Sequence, residues 1–144
     1  MLDRMIGRSS RRRVSVMAAA LGLFLGFQPG SFAADQDMSV IARASSGPLG
    51  CEIRKSAVGD AVQLTGVVSS TVASSGQARF LLTKSGMSGN SNINQGNAFE
   101  LAAGAESHVS HVTINLGHGD HAVIELVVTS KDGVTCRAAA NLDF

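Results

Sequence analysis

The chain has 144 residues, with 12 Lys+Arg against 11 Asp+Glu and 44% hydrophobic residues. Five Arg and one Asp fall in the first 33 residues, so the remaining 111 residues hold seven basic and ten acidic groups, a formal charge of −3. No basic block survives there, which argues against a nucleic-acid partner, and the length suits one domain with one core.

Residues 1–33 have the three-part layout of a secretory leader. Arg4, Arg8 and Arg11-Arg12-Arg13 supply a positive start, and "VSVMAAALGLFLGF" (Val14 to Phe27) an apolar stretch too short for an ordinary membrane span. Pro29-Gly30 breaks that stretch, and Ser31-Phe32-Ala33 places small residues before an expected cut after Ala33. The residues after the arginines match a twin-arginine signal poorly, which favours Sec export. Both cysteines, Cys51 and Cys136, lie beyond the cut. In an oxidising compartment they are expected to form a structural disulfide, because the spacing is neither CxxC nor CxC.

Beyond the leader, alternation of period two marks strands. "MSVIARA" (Met38 to Ala44) is the first, ended by Gly47-Pro48. "CEIRKSA" sets Cys51 and Ile53 against Glu52 and Arg54, and Gly59-Asp60 signals a turn. "AVQLTGVVSSTV" alternates Val62, Leu64 and Val68 with Gln63, Thr65 and Ser69. Ser74-Ser75-Gly76 reads as the next turn, and "QARFLLTKSG" sets Phe80 and Leu82 against Arg79 and Thr83.

The amide-rich "SGNSNINQGNAF" (Ser88 to Phe99) reads as a long loop, followed by a short strand "AFELAAG". "SHVSHVTINL" turns Val112, Ile114 and Leu116 inward, and "GHGD" is expected to close a hairpin with "HAVIELVVTS", whose Ala122, Ile124, Leu126 and Val128 share a face. Lys131-Asp132-Gly133 signals a tight turn before the last strand, "VTCRAAANLDF". About eight short antiparallel strands predict an all-β, immunoglobulin-like sandwich of 7–8 strands over residues 34–144. It departs from antibody domains, since the chain has no Trp and its cysteines join an early strand to the last one.

Chemistry is thinly signalled. His108, His111, His118 and His121 suggest a metal, but in a hairpin His118 and His121 sit at the turn, His111 lies on the order of 13 Å back, and His108 faces the other way. A weak site from His118, Asp120 and His121 is the residual metal reading. No GxSxG elbow appears and no pair of carboxylates sits in a recognisable context, so the chain reads as a non-enzyme without cofactor or metal. Sugar binding needs exposed aromatic platforms, yet only Phe80, Phe99 and Phe144 follow the leader. Protein recognition remains: sandwich edges have unpaired backbone groups that accept an extended strand. Arg54, Lys55, Arg79 and Lys84, each in or beside a strand, are candidates to guard an edge or meet a client.

The run "CEIRKS", the stretch "KSGMSGNSNINQGNAFELAAG" and the late "VTCRAAA" resemble the periplasmic curli-assembly chaperones of the CsgH type, related to CsgC. The resemblance spans roughly Val40 to the C-terminus, and "SGNSNINQG" is its most specific piece. It implies a periplasmic monomer that keeps curlin-type amyloid subunits from assembling early, through weak and transient contacts. The enterobacterial relative carries a CxC pair. Here the cysteines are far apart, which favours a plain bridge over a redox role. Asn92, Asn94, Gln95 and Asn97 share the vocabulary of curlin repeats and are candidate client-binding residues by mimicry. The alternatives are an adhesive or structural module of an exported surface assembly, and a weak periplasmic metal-binding protein.

Overall fold

The computed structural model describes residues 37–144; the expected leader lies outside them. Eight strands follow in chain order: β1 (Ser39–Ser46), β2 (Leu49–Val58), β3 (Ala61–Ser70), β4 (Ser74–Ser85), β5 (Ser91–Leu101), β6 (Glu106–Asn115), β7 (His121–Ser130) and β8 (Thr135–Asp143). They form two four-stranded sheets, ordered β1-β2-β3-β6 and β5-β4-β7-β8, in which every paired neighbour is antiparallel. The expected all-β sandwich is therefore present.

Alternation builds the core. Leu49, Cys51 and Ile53 of β2 and Leu64 and Val68 of β3 turn inward from the first sheet. Ala78, Phe80 and Leu82 of β4 and Ala122, Ile124, Leu126 and Val128 of β7 meet them from the second. Cys51 and Cys136 are bonded with their Cα atoms 6.2 Å apart, a staple from β2 to β8 through the middle of the sandwich.

Three expectations are corrected. The amide-rich stretch is not a long loop: Ser91 to Leu101 is a single strand, and the connection before it is only residues 86–90. Its inward positions fill with Ile93, Gln95, Phe99 and Leu101, enough to seat one face although the composition is turn-like. Ser74-Ser75-Gly76 is not a turn either, since β4 already begins at Ser74. Gly76 serves close approach: a Cβ there would lie 2.1 Å from the Thr129 carbonyl oxygen on β7.

The third correction is the hairpin. β6 pairs with β3 and β7 with β4 and β8, so Leu116 to Asp120 crosses between sheets. Each strand has a buried face to satisfy, and the two faces are sealed by opposing layers.

Candidate functional site

The two outer faces of the sandwich differ. On the first sheet, polar side chains close the surface. The Arg43 Nε donates to Glu52 at 2.8 Å, Arg54 Nε donates to the same carboxylate at 3.0 Å, and Arg54 Nη2 reaches Glu106 on β6 at 3.1 Å. That last arm crosses β3, where Val67, an outward-facing position by register opposite Glu52, is only 1% exposed. The Arg54 hydrogen bond holds the Glu106 carboxyl below its ordinary pKa and raises the guanidinium's own. Beside this ladder Gln63 contacts His111 Nε2 at 2.7 Å.

The second sheet's outer face is more open. Gln77, Arg79 and Leu81 of β4, Glu125, Val127 and Thr129 of β7, Arg137 of β8 and Gly96 of β5 line a shallow groove of about 460 Å³. Arg137 pairs loosely with Glu125 at 3.7 Å, while Arg79 has no carboxylate partner among the described residues. Asn94 stands opposite Leu81 and Asn92 opposite Thr83, so both amides extend this face along its edge.

The eight candidate client residues therefore scatter. Arg79, Asn92 and Asn94 share the outer face of the second sheet. Arg54 lies on the opposite surface, engaged by two carboxylates. Lys55 lies opposite inward Leu64, and its ammonium sits over the Phe144 ring, 5.8 Å from the centroid. Gln95 and Asn97 fall at inward positions of β5, opposite Phe80 and Ala78, and Asn97 Nδ2 donates to the Val109 carbonyl at 2.6 Å.

Lys84 corrects its expected surface placement. It stands opposite buried Ala122 and is itself 6% exposed. Its ammonium donates to the Ser88 hydroxyl at 2.6 Å and lies 3.4 Å from Asp120. Asp120 is buried as well, and accepts from the Ser88 hydroxyl, the Ser88 N–H at 3.1 Å and the Gly117 N–H at 2.9 Å. Those bonds, the Ser88 hydroxyl foremost, outweigh burial and hold the carboxyl well below the usual range. Gly86 lets the chain close over this cluster, since a Cβ there would sit 2.2 Å from Asp120 Oδ1 and 2.7 Å from its Cα. Sequence reasoning missed the pair because a lysine at the end of an alternating strand looks like any surface charge; the inward phase of Leu82 and Phe80 is the signal that places it.

The histidines also move. A register shift between Gly66 and Val67 makes Val109 an extra residue on β6, so His108 and His111 pair with Val67 and Thr65 and share the outer face, where unbroken alternation would separate them. Asp120 spends its oxygens on Ser88, Gly117 and Lys84, leaving none to join His118 and His121. His121 contacts Asp143 across the β7–β8 ladder. Among the described residues no group of three or more His, Cys, Asp or Glu is placed to hold a metal ion.

Two solved structures resemble this fold. "Solution Structure of R. palustris CsgH" aligns with a TM-score of 0.48 and 22% identity, covering 73% of this chain and 92% of that one. The E. coli curli protein CsgC aligns with a TM-score of 0.55 and 19% identity, covering 65% of this chain and 97% of that one, which speaks for the shared fold. No curated protein matches the sequence. The model of the CsgH protein family matches residues 50–139, from the start of β2 into β8 and across both cysteines, and on that match the chain belongs to the CsgH family.

Proposed function

We propose that this protein is a periplasmic chaperone that delays fibre formation by a curlin-type amyloid subunit through weak, transient contacts, and performs no bond chemistry. Membership of the CsgH family carries the reading. The name of the E. coli relative, a curli protein, supplies the curli connection. The Cys51–Cys136 bridge fits an oxidising compartment, in line with a leader over residues 1–33 and a single exported domain over 34–144. Setting β1 aside, the strand order β2-β3-β6 facing β5-β4-β7-β8 also suits an immunoglobulin-like plan.

A chaperone acting at low ratio cannot hold every monomer, because mass action then leaves most of the subunit free. It has to act on rare species or exchange quickly, and charge raises on-rates without demanding high affinity. Arg79, which shares an outer face with Asn92 and Asn94 and has no carboxylate partner among the described residues, is the basic group best placed to contribute. The test is curlin fibrillation followed by dye fluorescence, with the oxidised protein added well below one equivalent at low and at high salt. A long delay that shortens as salt rises is expected. Unaltered curves at every salt concentration refute the chaperone reading, and a delay indifferent to salt refutes steering by charge.

A further inference from the structure

Each sheet ends in two edge strands, and three of the four have features that discourage pairing. β1 breaks register between Val40 and Ala42 and carries Arg43. β6 is bulged at Val109, whose carbonyl Asn97 already occupies, and bears His108 and His111. β8 carries Arg137 and Asp143, and the residue after it, Phe144, is fastened by backbone bonds to Gly119 and Asp120. Such bulges and charges are the usual defences of an exposed edge.

β5 lacks all of them. It pairs with β4 residue for residue from Ser91 to Leu101 without a shift. It has no Lys, Arg, His or Pro, and its one charge, Glu100, is next to the end. Among the described residues no backbone bond ties it to anything but β4. A long, flat edge whose one charge lies near its end is a template for another strand.

We propose that β5 adds the terminal strand of an uncharged, amide-bearing β-aggregate, and that the domain thereby caps that end. The inference rests on the chaperone reading for its client and adds the surface and the mode of contact. Charge selects the occupant: residues 34–144 carry a formal −3, so a second copy brings like charge to the edge, whereas an uncharged strand brings none. The amides select it further. Asn92 and Asn94 form a row on one face, and Gln95 lies on the other, so a strand with amides at alternate positions can continue those rows by side-chain hydrogen bonds. Capping follows from polarity. Once an aggregate end has paired with β5, growth there would have to resume at the far edge of the same sheet, β8, where Arg137 opposes pairing.

Gly96 is the place to test it. It is central in β5 and opposite Arg79, and nothing lies within 4 Å of where its Cβ would be, so a side chain fits without disturbing the fold. G96K and G96E each put an ion in the middle of the edge while changing the charge beside Arg79 in opposite directions. Protein purified after export, wild type and both variants, is checked for unchanged thermal unfolding and then compared in curlin-subunit fibrillation. Loss of the delay in both variants, with about tenfold more protein needed to restore it, is expected; that corresponds to about 1.4 kcal/mol. Loss in G96E alone overturns strand addition and leaves charge at this face as the cause, whereas retention in both overturns strand addition and shows that charge at this position plays no part. A wild type without any delay removes the chaperone reading and this inference with it. Sedimentation that finds a wild-type dimer abolished by both variants, with inhibition unchanged, overturns the proposal in favour of a second copy at the edge.

Discussion

Breaking the Cys51–Cys136 bridge without removing an atom of either side chain isolates what the staple contributes. The bond closes a loop of 85 residues. Loop-closure entropy for that length gives about 4.6 kcal/mol at 25 °C. A domain of about 110 residues has an unfolding entropy near 0.23 kcal/mol/K, so the loss lowers Tm by roughly 20 °C. The protein is reduced while unfolded, refolded in reductant, and melted beside the oxidised form. Far-UV circular dichroism is the appropriate signal, because the chain has neither Trp nor Tyr to report by fluorescence. Both sulfurs are buried at the centre of the sandwich, so the reduced thiols stay in an apolar setting and burial is nearly unchanged. A decrease below about 5 °C refutes the argument that the bridge acts by restricting the unfolded chain.

Other positions make sharper local claims. Asp120 has a folded pKa held below its ordinary 3.8, so the stability it contributes is complete above about pH 4 and is lost as pH falls through the lower folded value. Acid titration of stability should therefore fall more steeply below pH 4 in the wild type than in D120N, and parallel curves contradict the assignment. G76A drives a methyl into the β7 backbone and should cost about 1–3 kcal/mol in urea unfolding, in contrast to a near-neutral G96A. N97A frees the Val109 carbonyl on the β6 edge; a loss of about 1 kcal/mol is expected, and no change would mean water replaces the bond.

Most of the strand set was legible from alternation, because inward Phe80 and Leu82, or Ala122 through Val128, leave a period-two trace wherever one face is sealed. The disulfide was legible too, from the cysteine count and the expected export leader. What failed had physical causes. β5 hides because its amide and glycine side chains suit turns, although Ile93, Phe99 and Leu101 carry the strand's phase. The β6–β7 connection fails because alternation says which face is buried but not which sheet buries it, and "GHGD" has the composition of a hairpin turn. His108 and His111 fall on one face through a bulge, and a single inserted residue leaves no local signature in the sequence. Of the basic candidates, Arg79 lies on an outer strand face, whereas Arg54 and Lys84 are engaged by carboxylates: Glu52 two residues away on the same strand could be foreseen, but Glu106 and Asp120 are distant in sequence.

The client's point of contact can be read residue by residue from backbone amide resonances of the oxidised protein during addition of curlin subunit at a small fraction of an equivalent. Signals from Ser91 to Leu101 should broaden first, with β1, β6 and the outer face of the first sheet unaffected. Broadening centred on the Arg43–Glu52–Arg54–Glu106 ladder, with β5 sharp throughout, contradicts the account.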